Sequence, residues 1–210
     1  MAATKARKRR SSYHHGDLSN ALVRAAIDLI SSENSEQITL REVSRRVGVN
    51  HRAVYRHFSD LTSLLAAVAE QGYGELLATL QHALATLPAG KGVPKLAARR
   101  MEALAIAYVG FAFDRPAHYR IMFGRRMNED GRFPALEGAA LKAYELLQSE
   151  LDAGVATGEF KDRPRRELVF GFWSLTHGFA SLALVRRIKL KRTFVEPYVR
   201  QIVGPFIAGL

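Results

Sequence analysis

Apolar positions along this chain recur every three or four residues, and no useful stretch alternates with a period of two, so the pattern predicts helices throughout. Leu18, Leu22, Ala26 and Leu29 share one face of a first helix. Leu40, Val43 and Val47 fall at i, i+3 and i+7 of a second, and Val54 and Phe58, four apart, give a third its buried edge. Leu61, Leu64, Leu65 and Val68 open a fourth helix that continues through Gly72 and Gly74 toward Leu87, where two glycines invite a kink or break. Five further helical segments are predicted at about 95–113, 116–123, 134–157, 165–187 and 194–208.

Punctuation sharpens these boundaries. Asp17 is placed to cap the first helix, which ends near Ser32–Asn34. Thr39 and Glu42 have the spacing of a capping box, Gly48 supplies a left-handed stop, and Asn50 is a good N-cap for the third helix. Ser59 or Asp60 caps the fourth. The segment from Pro88 to Pro94 reads as a linker, and Thr193 with Glu196 suggests a second capping box. Pro197 falls in a first turn, whereas Pro205 should end or bend the last helix. The expected fold is all-α, with about nine helices in total. A basic disordered arm (1–16) precedes an N-terminal three-helix helix-turn-helix domain (17–60). A C-terminal helical bundle (61–210) follows, expected to bind a ligand and to dimerise.

Charge then selects a partner. The 210 residues carry a net charge of +11, a balance that favours an anionic partner, most often nucleic acid, with a membrane surface as the competing reading. Lys5, Arg7, Lys8, Arg9 and Arg10 lie in a run without acids; it is either a solvated tail or an arm that follows DNA phosphates. The run Arg186–Arg192 is read as a solvated loop between two helices, with an anionic ligand or auxiliary DNA contact as the other possibility. There is no cysteine, which excludes disulfides and thiolate chemistry and suits a cytoplasmic protein. Met1–Tyr13 has no apolar core of the signal-peptide kind. Leu168–Val185 holds no Asp, Glu, Lys or Arg over 18 residues, yet Ser174, Thr176, His177 and Ser181 lower its apolarity. A buried bundle helix is expected there and no membrane span.

The outer face of the third helix carries the candidate chemistry: His51, Arg52, Tyr55, Arg56 and His57. His51 and Arg52 lie on the first turn, the part of a recognition helix that meets base edges, and Arg52 has the fork that bridges guanine O6 and N7. Tyr55 and His57 are better placed for phosphates, and Thr39 stands where helix-terminal amides can bind one. With Arg41, Asn50 and Ala53 these form the expected DNA-contacting set.

Val47-Gly48-Val49-Asn50, then Val54-Tyr55-Arg56-His57-Phe58, with Ser59-Asp60 and Leu64-Leu65 following, resembles the DNA-binding domain of the tetracycline-repressor (TetR) family over about residues 17–68. The resemblance implies that Tyr55 touches the DNA backbone and that Arg41 can reach a base. It implies a homodimer on double-stranded, palindromic operator DNA, with release by a small ligand acting through the fourth helix. Two departures matter. Leu61 stands where the family often has a phosphate-binding lysine, and Arg52 replaces a residue that is often small. Ser44 takes a position where alanine is frequent, and Asn34 one where glycine is frequent.

In the second half, Trp173-x-x-x-His177-Gly178 is similar to a motif of one C-terminal domain type of the same family. Trp173 and His177 share a helix face, and Gly178 is expected to admit another helix closely. One reading is a buried tryptophan beside a histidine bonded to backbone; the other places His177 in an effector cavity. Met101, Tyr108, Phe111, Tyr119, Met122, Phe123, Phe170, Trp173 and His177 are the expected effector-contacting set, with Phe113 and Phe172 in the same aromatic stripe.

The hydrolase, zinc-protease and P-loop signatures G-x-S-x-G, H-E-x-x-H and G-x-x-x-x-G-K-[ST] are absent. His14, His15 and Asp17 lack a fourth ligand for zinc. No cofactor, metal or catalytic residue is therefore expected. A sequence-specific DNA-binding regulator acting as a repressor competes with a helical ligand-binding protein or enzyme whose N-terminal module is vestigial.

Overall fold

The computed structural model describes residues 15–33, 37–88, 95–124, 127 and 131–210, and among these every regular element is helical. The basic run at 5–10, Asn34 and residues 89–94 of the Gly/Pro linker lie outside the described residues. The chain divides into two compact units, Met1–Leu64 and Leu65–Leu210.

The first unit contains α1 (His15–Glu33), α2 (Leu40–Val47), α3 (His51–Val54) and the first turn of α4 (Leu61–Ala85). Leu22, Ala26 and Ile30 of α1 are fully buried, and α1 packs on α2 through this stripe. α1 spans His15–Glu33 among the described residues, so Asp17 lies within the helix and not at the position ahead of it. A first turn leaves its amides unpaired in any case, so one acidic residue does not fix where it begins. α4 is capped by Asp60, whose Oδ1 accepts from the Ser63 amide at 2.7 Å.

α4 runs unbroken through both glycines. A Cβ on Gly72 would lie 2.6 Å from Sδ of Met122 and 3.1 Å from Cβ of His118, so this glycine lets another helix approach closely. That neighbour is α6 (Pro116–Phe123).

The second unit is built around α5 (Leu96–Asp114), which packs against α7 (Pro134–Ala156), α8 (Arg165–Leu184) and α9 (Val195–Ala208). Met101, Leu104, Ala105, Tyr108, Val109 and Phe111 are all buried, so α5 is apolar around most of its circumference, as a central helix must be. Lys95 before it has φ 54° and gives no side-chain cap. Instead, both carboxylate oxygens of distant Glu159 accept from the Ala97 and Ala98 amides, at 2.9 and 2.8 Å. Arg100 grips buried Glu150 through two bonds of 2.5 and 2.6 Å, which ties α5 to α7.

Three expectations are corrected here. Thr193 does not cap α9: residues Arg192–Phe194 form a 3-10 turn, Phe194 stands at the cap, and Glu196 accepts from Arg200 instead. Arg192, the first residue of this turn, makes two 2.8 Å bonds to Asp114. Pro205 does not end α9, which continues to Ala208. Gly178 has no atom of another element within 4 Å of an added Cβ; the close approach on α8 is at Gly171, where the Phe206 ring stands 3.0 Å away. Among the described residues no helix is long and apolar enough to cross a membrane.

Candidate functional site

Two places concentrate chemistry, and each unit holds one. In the first, local sequence fixes the geometry almost residue by residue. Thr39 is extended (φ −124°, ψ 153°); its hydroxyl accepts from the Glu42 amide at 3.2 Å while its own amide donates to Glu42 Oε2 at 2.8 Å. The hydrogen bonds from the Thr39 hydroxyl and amide hold the Glu42 carboxyl below its usual range. α2 then buries Leu40, Val43 and Ser44 and stops at Gly48, whose φ of 76° lies in the left-handed region. The Gly48 amide donates to the carbonyls of Ser44 and Arg45, completing the stop.

Asn50 restarts the helix by accepting from the Arg52 amide at 2.9 Å. α3 is only four residues long and passes into turns that end where the Phe58 amide meets the Val54 carbonyl at 2.9 Å. Val54 and Phe58 face inward. Thr39, Arg41, Asn50, His51, Arg52, Tyr55 and Arg56 are exposed, while Ala53 and His57 are half-buried. The Tyr55 ring is 52% exposed and meets the His51 ring edge-on at 4.9 Å, so the two aromatics support one another at the surface. Arg41, Arg52 and Arg56 form no ion pair among the described residues, which leaves their guanidinium forks available to an anion. Arg46, in contrast, pairs with Asp28 of α1 at 3.7 Å.

The second unit holds a cavity of about 680 Å³ that is partly open to solvent. α4 contributes Tyr73, Leu76 and Leu80, α5 contributes Leu104 and Tyr108, and Phe123 closes the end of α6. α7 supplies Pro134, Glu137, Gly138, Ala140, Leu141, Ala143, Tyr144 and Leu147, and α8 supplies Phe172, Trp173 and Thr176. The size suits a small organic molecule.

Of the nine residues expected to contact an effector, Tyr108, Phe123 and Trp173 reach this wall. Met101 and Phe111 are core residues, Met122 packs on Gly72, and Phe170 lies on the outside beneath Arg166 and against Tyr144. Helical spacing puts a residue on a face; it does not distinguish a filled interface from an empty one. Tyr119 and His177 stand one layer behind the wall. Nδ1 of His177 is 2.9 Å from the hydroxyls of both Tyr108 and Tyr119, and its Nε2 is 3.3 Å from Ser181 Oγ. The indole of Trp173 donates to the Tyr108 hydroxyl at 3.3 Å. His177 is thus bonded to side chains rather than to backbone. Burial lowers its pKa, and burial likewise raises Tyr119 and Tyr108 and pushes Tyr73 up to about 12.

The α4 and α7 walls escaped the sequence reading altogether. One signal was present: Gly138, Ala139, Ala140 and Ala143 crowd small side chains into one stretch of α7, which leaves space beside a helix.

A doubly capped helix-turn-helix with a basic outer face, followed in the same chain by a helical unit around an apolar cavity, defines a DNA-binding transcriptional regulator. Residues 22–68 match the model of the bacterial regulatory proteins of the tetR family, and residues 101–204 match that of the tetracyclin repressor-like C-terminal domain. The chain belongs to the TetR family.

Its likeness to individual members varies in extent. It is 39% identical over 51 residues to the class A tetracycline repressor protein of transposon 1721 from Escherichia coli, covering 24% of each chain. It is 29% identical over 124 residues to the nucleoid occlusion factor SlmA of Sodalis glossinidius, covering 59% of this chain and 58% of that one. The matches therefore span a quarter and somewhat over half of these relatives. The solved structure of a Rhodococcus sp. RHA1 protein of unknown function superimposes with a TM-score of 0.80 at 27% identity, over 96% of this chain and 99% of that one.

Proposed function

We propose that the protein is a ligand-released repressor that binds a palindromic operator as a homodimer. The observation that carries the DNA half is the pair of caps at Thr39 and Asn50, which turn His51, Arg52, Tyr55 and Arg56 outward together on one short face. Arg52 and His51 read base edges, with Arg41 beside them; Tyr55, His57 and the first-turn amides of α2 next to Thr39 hold phosphates. Ala53 packs close to the groove, and Arg56 supplies the charge that Leu61 does not.

The dimer is supported by apolar side chains left in solvent on the last turns of α8, just after it, in the 3-10 turn and on α9. Leu182, Val185, Phe194 and Tyr198 are each about half exposed or more, and Gly178 beside them has open space. A two-fold interface uses one such patch twice.

The effector half rests on the cavity. α4 contributes three residues to its wall and is continuous with the start of the helix at Leu61 in the first unit. A ligand that favours the arrangement unfit for DNA weakens operator binding, and the operator weakens ligand binding by the same factor. Selection of bound duplexes from a random pool tests the whole reading: a recovered inverted repeat supports it. Recovery of no preferred sequence, together with turnover of a small molecule, would favour a helical ligand-binding protein or enzyme instead.

A further inference from the structure

The cavity wall is unusual in its charge. Among the described residues that line it there is no Lys, Arg or His, and Glu137 is the sole carboxylate. Glu137 is exposed at the rim on the first turns of α7, where solvent screens what it could offer a bound cation. An anionic head group inside would lie unpaired among leucine, alanine and aromatic side chains, which strongly disfavours it. The wall therefore selects against either charge.

It does offer one positioned polar group. Tyr108 faces the cavity and is only 8% exposed, and its hydroxyl also belongs to the chain Trp173–Tyr108–His177–Ser181. The proton count of that chain is informative. A neutral imidazole has one donor and one acceptor nitrogen, and two tyrosine hydroxyls approach the same Nδ1. With the proton on Nε2, Tyr108 donates to Nδ1 while Tyr119 turns to the His177 carbonyl at 3.3 Å, and every hydroxyl is satisfied. With the proton on Nδ1, Nε2 accepts from Ser181 and the Tyr108 oxygen accepts from both the imidazole and the Trp173 indole. The Tyr108 O–H is then free of the imidazole and has two outlets, the neighbouring Tyr119 hydroxyl or an acceptor in the cavity that Tyr108 lines.

We propose that the cavity takes an uncharged, mainly hydrocarbon ligand carrying one oxygen acceptor, and that this oxygen accepts a hydrogen bond from Tyr108 as His177 changes tautomer. The inference rests on the reading of the cavity as the effector site and adds the ligand's class and its anchor. Residues 108 and 177 are positioned for this from two helices, α5 and α8, so ligand entry rewires the contact between them.

N-phenyl-1-naphthylamine, a neutral fluorescent amine with no oxygen, serves as reporter for the full-length protein. Competitors share one chain length: 2-dodecanone, dodecanoate and dodecyltrimethylammonium, each kept below its micelle concentration. The ketone should displace the reporter at concentrations at least tenfold lower than either ion. Tyr108→Phe should weaken the ketone about 3- to 10-fold more than it changes the oxygen-free reporter, a split that mere loosening of the fold would not give. Displacement by dodecanoate or by the ammonium at or below the ketone's concentration overturns the proposal, as does an unchanged ketone affinity in a folded Tyr108→Phe variant. If that variant does not fold, the head-group series on the unaltered protein still decides. Reporter uptake with a preference for charge leaves the effector-site reading standing; no uptake at all overturns both.

Discussion

The ring of Phe160 occupies the space that a side chain on Gly154 would need: an added Cβ would lie 2.1 Å from Cδ2 of the ring. The chain turns back on itself here, with the Phe160 amide donating to the Gly154 carbonyl at 3.1 Å, so the ring has little room to withdraw. Gly138, on the same helix, has nothing within 4 Å. One substitution therefore has opposite signs at two places on α7. Gly154→Ala should destabilise by about 1–3 kcal/mol through overpacking. Gly138→Ala should stabilise by roughly 0.4–1 kcal/mol by restricting the unfolded chain. Urea midpoints of the two variants check this directly; equal shifts would contradict the packing at Phe160.

Glu159 closes the N-terminus of α5 from 62 residues away. Glu159→Ala should uncap it and cost about 1–2 kcal/mol, the usual range for a lost cap. Hydrogen exchange supplies the second readout, since faster exchange should concentrate at the Ala97 and Ala98 amides. A uniform loss of protection across the unit would instead mean that Glu159 acts on global stability.

At the proposed DNA face, Arg52→Ala should relax discrimination at one operator base pair by about 1–3 kcal/mol. Tyr55→Phe should weaken all duplexes alike, and affinity should fall steeply with salt as phosphate-bound counterions are released. Gel-shift titrations with single-base operator variants separate the two effects. If Arg52→Ala lowers affinity evenly for every base, it is a phosphate contact and His51 or Arg41 carries the reading.

A charge placed at Leu182, 47% exposed on α8, should separate the proposed dimer. Leu182→Glu is expected to halve the mass measured by light scattering and leave the helical signal unchanged. A dimer that survives this variant lies on another face.

Two histidines, His118 buried and His177 half-buried, set a pH dependence. Burial lowers the pKa of His177, and burial first, then Arg115, lowers that of His118 against the opposing pull of Glu75. His118 Nε2 has no hydrogen bond among the described residues and lies 3.9 Å from Glu75 Oε1. Below about pH 6.5 the unfolded chain binds protons at these sites that the folded chain resists. Stability should therefore be full above that pH and decline as pH falls through it. His177→Gln should flatten this slope in urea midpoints taken between pH 8 and 5; an unchanged slope would assign it elsewhere.

How much of this was legible in the sequence differs between the two units. From Thr39 to Phe58 each boundary is set by a residue acting on its near neighbours: Thr39 on Glu42, Gly48 on its own φ, Asn50 on Arg52. Such short-range rules need no knowledge of the rest of the fold, and the exposed basic face follows from them by periodicity. The bounds of α5 to α9 were also close to expectation, because apolar spacing reports helices wherever they pack.

The cavity was another matter. Met101 and Phe123 look alike in sequence, yet one is core and the other is wall, since only the distances between helices decide which interface is left unfilled. Residues far apart in the chain made the remaining choices. Asp114 holds Arg192 at the start of a 3-10 turn, where Thr193 and Glu196 had the spacing of a cap. Glu159 caps a helix that its own sequence leaves open. Local rules carry the amides, φ angles and faces; what a side chain meets across the bundle depends on which helices pack together, and that is settled only by the tertiary structure.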